Sequence, residues 1–220
     1  MLQHLNIEQF TTQSGVAQDL KLSYQVFGKP LHTAPIILVN HALTGNSNVA
    51  GKDGWWSDLI GEGKCIDTEK YTILSFNIPG NGFDGFIIEN YKDFVAGDIA
   101  RIFLWGLKEL EIDKLFAIIG GSLGGGIAWE MTAINPKITE HLIPVASDWK
   151  STDWLIANCQ IQEQFLVNSK QPVHDARMHA MLCYRTPESF KERFKRSTNE
   201  ELKVFNVESW LMHHGKKLQE

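Results

Sequence analysis

The 220-residue chain is 43% hydrophobic and 21% charged, an ordinary globular balance that allows one large core and needs no disulfide or metal staple. A net charge of −5 and a pI near 5.9 argue against a polybasic surface for nucleic acid or membrane lipid. Residues Met1 to Phe10 have no basic-then-apolar leader pattern, the apolar runs are strand-sized, and Cys65, Cys159 and Cys183 share no C-x-x-C spacing, so a reduced, cytoplasmic protein without signal peptide or membrane span is expected.

Leu20 to Phe27 alternates as a strand, with Leu20, Leu22, Tyr24 and Val26 on one face. Ile36 to Val39 is a short, continuous apolar run, as expected of a strand buried on both faces in a parallel sheet. Tyr71 to Phe76 is another, followed by Asn77-Ile78-Pro79-Gly80-Asn81-Gly82, a loop by composition. Helical spacing of Phe94, Ile99, Ile102, Phe103 and Leu107 predicts a helix over 90–110 with Asn90 as its cap. A buried strand at Leu115 to Ile119 leads into Gly120-Gly121-Ser122-Leu123-Gly124-Gly125-Gly126 and then a helix from Ile127 to about Ile134. His141 to Ser147 reads as a fourth buried strand, although Pro144 removes one ladder donor. Strands alternating with helices predict a parallel α/β sheet over residues 1–148.

After Asp148 the periodicity is helical only. Thr152 to Val167 has Trp154, Leu155, Ile161, Phe165 and Leu166 as its apolar set. Thr186-Pro187 is a helix start, with proline at the first helical position. Asn206 caps a last helix predicted to stop at Gly215. Residues 149–220 are therefore expected to form a helical cap without strands.

Gly120-Gly121-Ser122-Leu123-Gly124 matches G-x-S-x-G, the nucleophile elbow. The serine must sit on a sharp turn between strand and helix, so Gly120 and Gly124 must lack a Cβ that would collide there. The N–H of Leu123 then points at the developing oxyanion. A plain glycine-rich turn closing a strand–helix unit is the competing reading, but such a turn has no need of glycines at 124–126, which cost helix stability. A phosphate loop is not supported at this position, since Gly120 to Gly126 fits neither G-x-G-x-x-G nor G-x-x-x-x-G-K-[ST]. His41-Ala42-Leu43-Thr44-Gly45 follows the strand that ends at Val39, where this topology takes its other oxyanion donor, here Leu43 N–H. His41 is expected to brace that loop, not to act as base. Metal binding is not expected: His174 and His179 are five apart and off one helix face, and His213 and His214 point apart.

With these blocks in place, the chain resembles the homoserine O-acetyltransferases of the α/β-hydrolase fold. The likeness rests on His41-Ala42-Leu43-Thr44-Gly45, Gly54-Trp55-Trp56, Gly61 to Asp67 with Tyr71, Gly120 to Gly125, Trp129-Glu130, Ile156-Ala157 and Val207 to Leu211 with Gly215. It implies a three-layer α/β-hydrolase fold with a mostly parallel sheet and a helical cap. It also implies ping-pong acetyl transfer from acetyl-CoA, as co-substrate with no bound cofactor, through Ser122 to L-homoserine, in methionine biosynthesis. Leu43 and Leu123 would hold the oxyanion, Thr44 would contact substrate, and partners would be small molecules, with a homodimer allowed.

The sequence departs from the family in three places. The resemblance puts the catalytic acid and base on loops after two further strands, beyond Glu220, so the chain reads as the front two-thirds of such an enzyme with the 141–147 strand left as a sheet edge. Glu163 stands where the cap helix would carry an arginine. Pro79 to Gly85 lacks a G-S-T-G-P-like run. Asp148 with His174 or His179 is the internal alternative for acid and base. A plain esterase and a non-catalytic protein are the alternative functions.

Overall fold

The computed structural model describes residues 1–220, which divide into two units, Met1–Lys150 and Ser151–Glu220. In the first, strands β1 (Gln3–Thr11), β2 (Ala17–Gly28), β3 (Ile36–Asn40), β6 (Thr72–Phe76), β7 (Leu115–Gly121) and β8 (Thr139–Val145) form a six-stranded sheet of order β1-β2-β6-β3-β7-β8. Two short strands, β4 (Ile60–Gly61) and β5 (Ile66–Asp67), pair with each other apart from it. The pairings β6–β3, β3–β7 and β7–β8 are parallel, and β1–β2 and β2–β6 are antiparallel. The mostly parallel expectation holds. The strand β1 had no sequence signal, because most of its residues are exposed.

Every residue of β3 and β6 is buried, which is why these segments read as near-continuous apolar runs, the exceptions being Asn40, Thr72 and Ser75. Their alternate side chains feed two cores. Leu38, Leu74 and Ile118 pack with Ile102, Phe103 and Ile127 from helices α1 (Ala96–Glu109) and α2 (Leu123–Ile134) on one face. Ile37, Val39, Ile73 and Ile119 pack on the other face with Val49, Ile60 and Ile66, from the segment between β3 and β6 that carries β4 and β5. The strand β8 departs from expectation. None of its residues is buried, and Ile143 and Val145 are exposed. It pairs on one side only, with β7, and an edge position of this kind tolerates Pro144.

Helix α1 also starts later than its periodicity suggested. Residues Tyr91–Asp93 form a 3₁₀ turn, and the helix begins at Ala96. Asn90 is displaced as cap by Asp98, whose fully buried carboxylate accepts Val95 N–H at 3.0 Å and Gln13 N–H at 2.9 Å and pairs with Arg101. Arg101 in turn donates to Thr11 O at 2.8 Å. One acid thus ties the helix start to the hairpin of β1 and β2.

The loop after β3 is fixed by a buried polar network. Asn77 Oδ1 accepts Ser47 N–H at 2.7 Å, and Asn77 Nδ2 donates to the hydroxyls of Ser23 and Ser47. His41, 1% exposed, receives Ile78 N–H on Nε2 at 3.0 Å. Its Nε2 is therefore unprotonated, and Nδ1 carries the hydrogen donated to Ala42 O at 2.7 Å. Burial holds the His41 pKa below its ordinary 6.5, partly offset by the bond to Ala42.

The second unit contains α3 (Asp153–Asn168), α4 (Pro172–Cys183), α5 (Pro187–Phe194) and α6 (Asn206–Gln219). Thr152 and Thr186 cap α3 and α5, their hydroxyls accepting Leu155 N–H and Ser189 N–H. Helix α4 carries a weak apolar pattern and was not evident in the sequence. Helix α6 does not stop at Gly215, which is buried against the His174 ring of α4. A short hairpin, β9 (Thr198–Asn199) with β10 (Val204–Phe205), corrects the strand-free expectation. Two-residue strands leave no periodicity to read. No helix is long and apolar enough to cross a membrane.

Two outcomes follow for stability. Asp98→Ala strips the partners from buried donors and from Arg101, and should cost about 3 kcal/mol or more, read as a lowered urea midpoint at unchanged slope. For His41, the unfolded chain binds a proton at higher pH than the folded one. Its contribution is therefore whole above pH 6.5 and is lost as pH falls through the lower folded pKa. His41→Asn should flatten the drop in urea midpoint between about pH 7 and about pH 5; an unchanged slope would refute the assignment.

Candidate active site

Ser122 lies between the last residue of β7, Gly121, and the first of α2, Leu123. Its φ of 52° and ψ of −119° are far from strand or helix, and a residue with a Cβ is held there at a cost of about 1–3 kcal/mol. The surroundings enforce the turn. Ser122 N–H donates to Val145 O of β8 at 2.9 Å, and Ser122 O accepts Gly125 N–H at 2.9 Å. A Cβ on Gly120 would lie 2.2 Å from Gly124 O, and one on Gly124 would lie 2.3 Å from Asn40 O and 2.6 Å from His41 O. No side chain can replace hydrogen at either position without moving backbone. Ser122 itself is exposed.

The adjacency of β3 and β7 brings the two loops to one end of the sheet. The strands are parallel, with Asn40 opposite Gly120, so residues 41–45 and 121–124 leave side by side at their carboxyl ends. Leu43 and Thr44 are exposed there, on a turn closed by Gly45 N–H to Ala42 O at 2.9 Å. Leu123, at the first position of α2, has an N–H with no acceptor inside the helix. The helix start also favours negative charge by its dipole.

Neither an acid nor a base of this chain hydrogen-bonds to Ser122. Asp148 accepts Trp149 N–H at 2.8 Å. His174 Nδ1 meets Asp175 Oδ1 at 2.8 Å, and His179 meets Gln162 at 2.8 Å. Both ring nitrogens of His41 are committed to backbone. Glu163 sits on α3, at the surface. No cluster of His, Cys, Asp or Glu could hold a metal ion.

Three positioning residues escaped the sequence reading. By sequence Asn77 reads only as loop composition, yet it anchors the β3 loop. Asn40, fully buried, directs Nδ2 toward Gly124 O at 3.4 Å and Met131 Sδ at 3.8 Å, with Oδ1 unpartnered. Ser147 packs on Gly125, where a Cβ would approach to 2.6 Å. Polar residues right after apolar runs were the available signal, since a buried polar group must have a structural use.

The α/β hydrolase fold family matches residues 35–162. The homoserine O-acetyltransferase of Chloroherpeton thalassium is 34% identical, covering 94% of this chain and 61% of that protein. That of Trichormus variabilis is 30% identical, covering 98% and 67%. The crystal structure of homoserine O-acetyltransferase from Staphylococcus aureus superposes with a TM-score of 0.82 at 28% identity, covering 100% of this chain and 66% of that one. The chain thus spans roughly two-thirds of the length of these relatives. It belongs to the α/β hydrolase fold family and, within it, to the homoserine O-acetyltransferase family.

Proposed function

We propose that Ser122 is the nucleophile of an acetyl transfer from acetyl-CoA to the side-chain hydroxyl of L-homoserine, a step of methionine biosynthesis. The observation that carries this reading is the backbone of Ser122, an exposed hydroxyl on a strained strand-to-helix turn. In the first half-reaction Ser122 Oγ attacks the thioester carbonyl, the C–S bond breaks and CoA leaves as the thiol. In the second, the homoserine hydroxyl attacks the serine ester and releases Oγ. The N–H groups of Leu43 and Leu123 stabilise the oxyanion in both, and Thr44 contacts the acceptor. Both halves need a general base to take the hydroxyl proton, and no group of this chain in contact with Oγ supplies it. The chain alone is expected to turn over slowly, since losing triad members costs up to about 10⁶ in kcat.

An esterase is the second reading, favoured by the exposure of Ser122, because an ester open to water is hydrolysed. Incubation with acetyl-CoA and peptide mapping should find acetyl on Ser122, and L-homoserine should discharge it as O-acetylhomoserine. Discharge as acetate at a rate indifferent to homoserine would favour the esterase. A fluorophosphonate probe that leaves Ser122 unlabelled would favour a non-catalytic protein. Gly124→Ala should slow labelling on the order of 100-fold or more, the scale of one lost oxyanion donor, by pushing the β3 loop away, and Ser122→Ala should abolish it.

A further inference from the structure

The helical unit holds a cavity of about 580 Å³ between α5 and the β9–β10 hairpin, within the size range of small-ligand sites. Its apolar wall is Phe190, Phe194, Phe205 and Val207. Phe190 and Phe194 are stacked at 5.7 Å and packed from behind by Trp210 at 5.8 and 5.6 Å, so the wall is preorganised. Lys191, Lys195 and Arg196 also line it, all exposed. None of these cations forms an ion pair with a carboxylate of the chain; Arg196 lies over the Phe205 ring at 5.7 Å.

Lys195 and Arg196 are consecutive residues at φ 48° and 54°. Lys195 is the left-handed C-cap of α5, its N–H donating to Lys191 O, and this helix ending sets both cations at the rim of the cavity. The one hydroxyl in the lining, Ser197, already donates to Phe194 O at 2.6 Å and accepts from Asn206 at 2.8 Å. That leaves little to read the edge of a nucleobase. We propose that this cavity binds an amphiphilic organic anion, its unbranched apolar tail on the phenylalanine wall and its anionic head among Lys191, Lys195 and Arg196.

The test is titration calorimetry of the full chain with decanoate, decyl phosphate and decanol, each below its aggregation limit. One saturable site for decanoate or decyl phosphate, with decanol at least about tenfold weaker, is expected from charge-assisted contacts; the stronger of the two anions identifies the head group. The double variant Lys195→Asn with Arg196→Asn should weaken the anions about tenfold or more while its Tm stays level or rises, because asparagine tolerates the left-handed backbone better. Phe205→Ser should weaken all three ligands. Absence of saturable binding, decanol binding as well as decanoate, or anion affinity unchanged in the double variant would each overturn the proposal.

Discussion

The candidate site depends on one steric fact: at Gly120 and Gly124 two pieces of backbone approach closer than any Cβ permits. Hydrogen bonds hold Ser122 from both sides, but the glycine contacts decide where the start of α2 lies against the ends of β3 and β7. The apolar side chains of those strands serve the same geometry. Being buried on both faces, they cannot slip register without exposing one of the two cores, so the loops that carry Leu43 and Ser122 have a fixed origin.

Much of this was legible in the residues. Ile36 to Val39, Tyr71 to Phe76 and Leu115 to Ile119 announced strands because burial on both faces leaves few polar positions, and the two in β6, Thr72 and Ser75, bond to backbone carbonyls. G-x-S-x-G announced the elbow because few other residues fit so tight a turn. What stayed hidden depended on distant partners. Asp98 displaced Asn90 as the cap of α1 only because Gln13 and Arg101 lie in reach of it, 85 residues and three residues away in sequence. The strand β1 was missed because it pairs at an edge with most of its side chains in water. Asn77 looked like any turn residue until its amide was seen bridging Ser23 and Ser47.

The two units differ in how strongly their sequences specify them. The sheet unit is dictated by long apolar runs and glycine contacts. The helical unit leans on end signals, Thr152 before α3 and Thr186-Pro187 before α5, and on ring packing around Trp210. Its weakly patterned helix α4 was correspondingly invisible, and α6 passed through a glycine that the sequence alone suggested as a stop. Gly215 is there for the neighbouring imidazole, a tertiary reason that overrides a local one.

His41 has a chemical consequence of its own. With one ring nitrogen receiving an amide hydrogen and the other giving its hydrogen to a carbonyl, the imidazole keeps no lone pair free and almost no surface. It should be inert toward acylating reagents such as diethyl pyrocarbonate in the native protein. Inactivation by such a reagent would therefore report on some other histidine, although His41 is the one that stands beside the elbow.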